Sequence, residues 1–226
     1  MSTTTAKDTL METFERLFTC DEDVKKDFDI EPENREGDKA TVVPVHSSVL
    51  TVRSKVFNTM INGESSFAEK KERKVKIPFS SQAVDMMVKY MYGFELEDCE
   101  NHDAFLELIE IGGVYDIENL KKAAAEKIKP HVTKETVFHI LSFAYLHKAD
   151  DLKKICLDMI ISTFSEKEVL KQKVIIDCPE MVVELWNLFE NKKKDQNNRK
   201  TSSEDTMVNT HNHEIFFMTL KKNLTS

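Results

Sequence analysis

The residues that could catalyse a reaction are scattered along this chain of 226 residues. His46 stands beside Ser47 and Ser48, but a catalytic triad needs three groups that meet in the folded structure, which adjacency in sequence does not provide. We therefore interpret His46 as a partly buried histidine bonded to the backbone. Gly112 and Gly113 are an isolated pair inside a helical pattern, so the sequence contains no glycine-rich phosphate loop. This pattern predicts that the protein is not an enzyme.

Candidate metal ligands also lack the spacing that a metal site requires. His102 and Asp103 have no third ligand nearby in sequence, and His211 and His213 lie in a polar segment where any metal affinity would be incidental. The cysteines are far apart and form no C-x-x-C pair, which predicts reduced, mostly buried thiols rather than a zinc site or a disulfide framework. They are Cys20, Cys99, Cys156 and Cys178. We expect no metal and no cofactor.

Composition and charge narrow the class of protein further. The chain is 40% apolar and 32% charged, which is typical of a soluble, mostly helical protein. No apolar run approaches the roughly 18 residues that span a bilayer. The net charge is −8, and because residues 191–226 carry seven Lys or Arg against four Asp or Glu, the preceding part carries −11. An acidic body matches a phosphate backbone poorly, so we expect neither nucleic-acid nor membrane partners, and a cytoplasmic and/or nuclear location.

The elements that position these residues centre on the stretch 44–57. Pro44 suits the end of a strand, and the residues after it recur at helical spacing, which predicts one buried helix. Its apolar residues are Val49, Leu50, Val56, Phe57, Met60 and Ile61. Gly63 follows, where a helix end favours a residue that tolerates positive φ. Residues 27–30 and 40–45 predict two strands joined by a hairpin loop over 32–39, and residues 74–77 predict an exposed edge strand.

Helical patterns account for most of the remaining chain. Thr9 and Glu12 predict a capping box at the start of a helix whose apolar stripe is Leu10, Met11, Phe14, Leu17 and Phe18. A short helix must bury such a stripe against its own core or against a partner, and the pattern alone leaves both open. Ser80 and Thr133 are predicted N-caps of later helices.

Several short segments of the sequence resemble segments of the BTB/POZ domain, a protein-interaction module. They are the Pro-Val-His run at 44–46, the Val49-Leu50 pair, Arg-Ser-x-Val-Phe at 53–57, and Tyr-Met-Tyr-Gly at 90–93, which lacks the threonine usual there. The resemblance implies an α+β fold: a small β-sheet capped by a helical cluster. It also implies that the N-terminal helix packs across a two-fold axis, so Leu10, Met11, Phe14, Leu17 and Phe18 become the candidate interface of a homodimer.

The helices after residue 130 resemble the short extension, called the 3-box and part of a BACK region, that follows the BTB domain in speckle-type POZ (MATH-BTB) proteins. The run Leu-His-x-Ala-Asp-x-Leu-Lys at 146–153 carries this resemblance. The MATH domain usual in that family is absent from the sequence. We therefore expect a BTB/POZ domain over 8–130, an all-α BACK-like extension over 131–190, and a disordered tail over 191–226, which lacks periodicity.

The resemblance implies an adaptor that recruits a protein substrate to a cullin-RING ubiquitin ligase. In such proteins a hydrophobic-x-Glu triplet before the edge strand contacts the cullin scaffold, and Phe67-Ala68-Glu69 stands at that position. Phe67 and Glu69 are thus the candidate cullin contacts, although Phe67 packing under its own loop is the alternative. Related repressors carry Lys or Arg where this chain has Ser47, which places a repressor-type charged pocket with Asp27 in doubt. The alternative function is a dimerisation scaffold or transcription-linked module without a ligase role, and the substrate is unknown.

Overall fold

The computed structural model describes residues 6–19, 25–33, 41–63, 71–99, 102–173 and 178–200. The chain divides into two compact units, Met1–His131 and Val132–Ser226. None of the helices in these described ranges is long and apolar enough to cross a membrane. The architecture is α+β, as the sequence predicts, because a small sheet is accompanied by helices in the first unit and the second unit is helical where it is described.

The first unit contains six helices and three strands in its described part. In chain order they are α1 (Ala6–Thr19), β1 (Phe28–Pro32), β2 (Val43–Val45), α2 (Ser47–Arg53), α3 (Lys55–Asn62), β3 (Lys74–Ile77), α4 (Ser81–Met91), α5 (His102–Val114) and α6 (Glu118–Ile128), followed by a 3₁₀ turn at Lys129–His131. Helix α1 begins at Ala6, so the predicted capping box is wrong: Thr9 lies inside the helix, where its backbone N–H is no longer one of the exposed N-terminal donors.

The three described strands form one sheet in the order β2-β1-β3. Strand β1 pairs antiparallel with β2, with Phe28 opposite Val45, and parallel with β3, with Ile30 opposite Val75. The side chains of Phe28 and Ile30 are buried and that of Asp29 is exposed, which is the alternation of a sheet with one face on a core. Strand β3 lies at an edge of this described sheet, as predicted for 74–77.

The central stretch forms two helices, not the single helix that its spacing predicts. Ser54 separates α2 from α3 in an extended conformation (φ −140°, ψ 124°), and its hydroxyl accepts a hydrogen bond from the Phe57 N–H while donating one to the Tyr115 carbonyl. A distant carbonyl and a local cap thus stabilise a break that local periodicity does not reveal. Gly63 also differs from expectation, because its φ of −59° is not left-handed.

The apolar positions predicted for α4 and α5 form the core of the first unit. Val84, Met87, Val88 and Met91 of α4 are fully buried, as are Phe105, Leu108 and Ile109 of α5. The ring of Phe57 stacks on Tyr115 with 4.6 Å between centroids, which brings α3 against the end of α5. Ser80 caps α4 by accepting a hydrogen bond from the Ala83 N–H, as its position predicts.

Three helices end in the same Schellman motif, in which a left-handed residue reverses the chain. Gly93 supplies it after α4 (φ 97°) and Asp116 after α5 (φ 53°). In the second unit Lys148 supplies it after α7 (φ 51°). Each motif contains the long backbone bond across the helix end: Phe94 to Lys89, Ile117 to Gly112, and Ala149 to Ala144. Only the first of these three helix ends has glycine at the left-handed position, which is the residue that predicts such a turn from sequence.

Gly112 is the point of closest approach between α5 and α6. A Cβ built there would lie 2.8–3.0 Å from the Cβ, N and Cα atoms of Lys121, whereas a Cβ at Gly113 would meet no atom within 4 Å. The two glycines that look alike in sequence therefore have different roles. Gly112 is required because backbone atoms of α6, which cannot rotate away as a side-chain end can, occupy the space that a methyl group would need.

Adjacent glycine substitutions should consequently have opposite effects on stability. Gly112→Ala should lower the free energy of unfolding by about 1–3 kcal/mol through overpacking. Gly113→Ala should raise it by about 0.5–1 kcal/mol, because alanine is the better helix former. Urea denaturation of both variants followed by circular dichroism measures the difference. Equal destabilisation by the two substitutions would contradict the close approach of α5 and α6 at Gly112.

The second unit consists of helices in its described part: α7 (Val137–Leu146), α8 (Asp150–Thr163), α9 (Glu166–Val169) and α10 (Pro179–Lys200). The prediction that Thr133 caps α7 is wrong, because α7 starts later. Instead, the Thr133 N–H donates to the Thr136 hydroxyl in the turn before the helix. The predicted disorder also differs from the structure over 191–200, because α10 continues to Lys200. Residues 201–226 lie outside the described ranges.

Contacts made by two lysines explain why α10 extends past residue 190. The Lys192 ammonium donates to the Ile161 carbonyl at 2.6 Å, in the last turn of α8, where backbone acceptors lack helical partners. The Lys193 ammonium lies 2.6 Å from Glu166 and 3.0 Å from Glu190, and 5.5 Å from the centroid of the Trp186 ring. The basic run that composition assigns to a solvated tail therefore helps to pack the last helix.

Candidate functional site

The apolar stripe of α1 is only partly used by its own chain. Phe18 contacts two aromatic rings edge-on, Tyr92 at 5.0 Å and Phe94 at 5.3 Å between centroids, so it packs on the core of the first unit. Phe14 and Leu17 are half-buried. The side chains of Leu10 and Met11 lie outside the described part of the structure. Of the five predicted interface residues, the three whose side chains are described, Phe14, Leu17 and Phe18, are all only partly buried, so each retains some apolar surface on which a partner could pack.

The candidate cullin contacts Phe67 and Glu69 lie outside the described residues. The structure ends α3 at Asn62 and begins β3 at Lys74, so the triplet belongs to the connection between these two elements. Their proposed role remains a prediction from position in sequence.

His46 is buried against a tyrosine. It is only 4% exposed, and both its backbone N–H and its ring Nδ1 are within hydrogen-bond distance of the Tyr92 hydroxyl, at 2.9 and 2.7 Å. Burial raises the pKa of Tyr92, so this hydroxyl keeps its proton. The pair connects the start of α2 to the end of α4. The hydrogen bonds between His46 and Tyr92 therefore hold two helices together, and neither side chain is placed as a nucleophile.

A charged cluster lies beside this pair, at the start of β1. The Asp27 carboxylate accepts hydrogen bonds from the Ser47 N–H at 2.7 Å and the Ser47 hydroxyl at 2.8 Å. Arg73 forms an ion pair with the same carboxylate, and its Nε donates to the Asp27 carbonyl at 3.0 Å. Arg73 itself has a left-handed backbone (φ 56°), an unusual conformation for a residue with a side chain.

Arg73 is the residue of this cluster that sequence reasoning missed. The absence of Lys or Arg at position 47 left Asp27 without an expected cation, but Arg73 supplies one from 46 residues away. An open depression of about 420 Å³ adjoins the cluster, and the charges that line it are mixed: Lys25, Lys26 and Arg73 with Asp27, Asp29 and Glu72. Such a surface suits polar protein contacts better than a small apolar ligand.

The charge on Asp27 should contribute to stability in a pH-dependent way. Burial alone would raise the pKa of Asp27, but the hydrogen bonds from Ser47 and the Arg73 charge together hold this pKa below its ordinary value. A lowered pKa in the folded state means that the stabilisation is present above the ordinary value of about 4 and is lost as the pH falls through the folded-state pKa.

Asp27→Asn should therefore lower the free energy of unfolding at pH 7 by about 1 kcal/mol. The value is modest because the two paired side chains are 46% and 43% exposed and solvent screens them. The difference from wild type should shrink below about pH 4. Urea denaturation across pH 3–7 measures it, with Asp29→Asn, the same change at an exposed position of β1, as the control. A difference that does not depend on pH would contradict the role of the charged form.

A second polar cluster lies in the other unit and joins three helices. The Tyr145 hydroxyl donates to the Glu184 carboxylate, and the Lys153 ammonium lies 3.4 Å from the same carboxylate. Lys153 also lies 5.1 Å from the centroid of the Tyr145 ring. Burial and then the bond to Glu184 raise the pKa of Tyr145, which stays protonated. The cluster holds α10 against α7 and α8.

The other candidate ligands and nucleophiles in the described part of the chain are histidines, cysteines and acidic residues. Among the described residues, no group of three or more His, Cys, Asp or Glu side chains could hold a metal ion. The His102 ring contacts Asp103 at 3.5 Å and stacks on His131. Three cysteines are described, and all three are free thiols. Cys156 is buried, whereas Cys99 and Cys178 are partly exposed, so the prediction that most of the thiols are buried does not hold for these three. Burial raises the pKa of the Cys156 thiol to about 12, which makes it unreactive.

Comparison with known proteins identifies one domain. Residues 36–132 match the BTB/POZ domain family. Similar proteins of Arabidopsis thaliana include BTB/POZ domain-containing protein At4g08455, 23% identical over 65% of this chain and 60% of its own length. BTB/POZ domain-containing protein At1g21780 is 29% identical over 50% of this chain and 34% of its own length. BTB/POZ and TAZ domain-containing protein 1 is 27% identical over 56% and 35%. The chain thus spans between a third and three fifths of these three relatives.

Proposed function

Because the chain contains a BTB/POZ domain at residues 36–132, we propose that the protein is a homodimeric adaptor that brings a protein substrate to a cullin-RING ubiquitin ligase. A BTB/POZ domain is a protein-interaction module. The adaptor role is supported by the order of the two units, because the BTB/POZ domain is followed by a second compact unit of helices. A helical extension in that place is what the resemblance to speckle-type POZ proteins requires for a complete cullin-binding surface.

The dimer in this proposal uses the face of α1 that its own chain buries only in part. Phe14 and Leu17 lie on that face, while Phe18 is engaged with Tyr92 and Phe94. Apolar surface removed from water stabilises an interface in proportion to its area. A second copy that presents the same stripe offers a self-complementary surface, as a two-fold interface requires.

The cullin contact is assigned to the connection between α3 and β3. Phe67 provides an apolar anchor and Glu69 an acceptor, a combination typical of interface hot spots. The acidic balance of the chain suits protein partners rather than nucleic acid. The substrate is a protein that we do not identify, and the proposed location is cytoplasmic and/or nuclear.

Titration calorimetry of the full chain with a cullin N-terminal domain tests the proposal, alongside light scattering to measure the mass of the free protein. We expect a dimer that binds the cullin with a Kd in the micromolar range or tighter. A dimer that shows no binding at tens of micromolar would replace the adaptor with the alternative: a dimerisation scaffold, or a transcription-linked interaction module, without a ligase role. A monomer would overturn both.

A further inference from the structure

The surface of α10 carries an acidic groove that the proposed function does not use. It is shallow and open to solvent, with a volume of about 450 Å³, and is lined by Pro179, Glu180, Val183, Glu184 and Asn187. Val183 is 54% exposed, although it is a branched apolar side chain, and it lies on the face of α10 where Glu180 and Asn187 are also exposed. Of the two carboxylates that line the groove, Glu184 already pairs with Lys153 at 3.4 Å, so the exposed Glu180 carries the acidic character of this surface. An occupant should therefore bring apolar side chains together with positive charge.

We propose that residues 215–222 of the same chain dock in this groove. Their sequence is Ile-Phe-Phe-Met-Thr-Leu-Lys-Lys, an apolar run followed directly by two lysines. The apolar side chains cover Val183, and Lys221 and Lys222 lie beside the Glu180 and Glu184 carboxylates. Glu184 already binds Tyr145 and Lys153, so Glu180, which is exposed, is the main acidic partner.

Chain length allows this contact within one molecule. Helix α10 ends at Lys200, and the 17 residues from Val183 to that end extend about 26 Å along the helix axis. The 14 residues 201–214 can span at most about 50 Å, which is enough to return to the groove. A tethered segment of this length has an effective concentration on the order of millimolar, so even a weak contact would be occupied.

In this arrangement the C-terminal segment competes with other proteins for the Val183 groove. Any other protein that uses the Val183 groove must displace the C-terminal segment, so removal of residues 215–222 should expose this surface. This inference concerns α10 and the C-terminal segment alone and does not depend on the adaptor role.

Carbodiimide cross-linking of the full chain tests the proposal, because this reagent joins a carboxylate to an ammonium group only when they touch. An equal mixture of ¹⁴N- and ¹⁵N-labelled protein is cross-linked and digested, and the linked peptides are identified by mass spectrometry. We expect links from Glu180 to Lys221 or Lys222 in which both peptides carry the same isotope. The link between Lys153 and Glu184, 3.4 Å apart, is the internal positive control.

Two variants locate the contact. Val183→Asp and the double variant Phe216→Ser/Phe217→Ser should each lower the yield of the Glu180 link by about tenfold or more, since each removes the apolar half of the contact. Val114→Asp is the matched control, because Val114 is also 54% exposed but belongs to the other unit, and it should leave the yield unchanged.

Three results would overturn the proposal. Linked peptides of mixed isotope would show that a second copy occupies the groove. Absence of the Glu180 link while the control link forms would leave the groove to a different protein. A yield unaffected by Val183→Asp would place the C-terminal segment elsewhere.

Discussion

Replacing Phe67 and Glu69 together with alanine should weaken binding to the cullin N-terminal domain by about a hundredfold or more. If the Phe67 ring is buried in the complex, its removal loses about 1.5–3 kcal/mol of apolar burial. Loss of Glu69 removes a charged hydrogen bond of about 1.5–3 kcal/mol. Titration calorimetry of the variant beside wild type measures the change.

The control for this experiment is Glu72→Ala, which removes a carboxylate next to β3 that pairs with Lys74 at 3.4 Å. It should bind cullin with the wild-type Kd. The Phe67→Ala/Glu69→Ala variant should remain dimeric, because α1 lies elsewhere in the chain. If wild type binds and the double variant binds equally well, the adaptor role would stand and the contact would lie at other residues.

Phe14→Asp combined with Leu17→Asp should convert the dimer into a monomer or an aggregate. Each wild-type side chain contributes up to about 1.5–3 kcal/mol when it becomes fully buried, and the two new carboxylates would face their own copies across the two-fold axis without a partner. Together these terms should raise the dimer dissociation constant by more than about a hundredfold. Size-exclusion chromatography with light scattering at tens of micromolar measures the mass.

Two further substitutions separate dimerisation from folding. Leu146→Asp introduces the same charge at a side chain that is 74% exposed in the second unit, and it should leave the dimer intact. Phe18→Ala should lower thermal stability, because Phe18 packs on Tyr92 and Phe94 of its own chain. A Phe14→Asp/Leu17→Asp protein that remains a well-folded dimer would exclude α1 as the interface.

Local spacing in the sequence was sufficient for most of the elements and for much of the core. The alternation at 74–77 and the spacing of Val84, Met87 and Val88 are set by which side chains a strand or a helix directs to one face, and the structure confirms both. The N-cap at Ser80 is likewise a local signal, since its partner is three residues away. The short segments that resemble the BTB/POZ domain likewise imply the α+β fold of the first unit.

Tertiary contacts decided the features that the sequence did not reveal, because each depends on atoms far apart in the chain. Ser54 divides the central helix through a bond to a carbonyl 61 residues away. Arg73 supplies the cation of Asp27 across 46 residues, and Lys192 extends α10 through a carbonyl 31 residues away. Gly112 and Gly113 are indistinguishable until α6 packs against one of them. Sequence thus determined the periodic elements, whereas packing decided where a helix breaks, how far it runs and which charges meet.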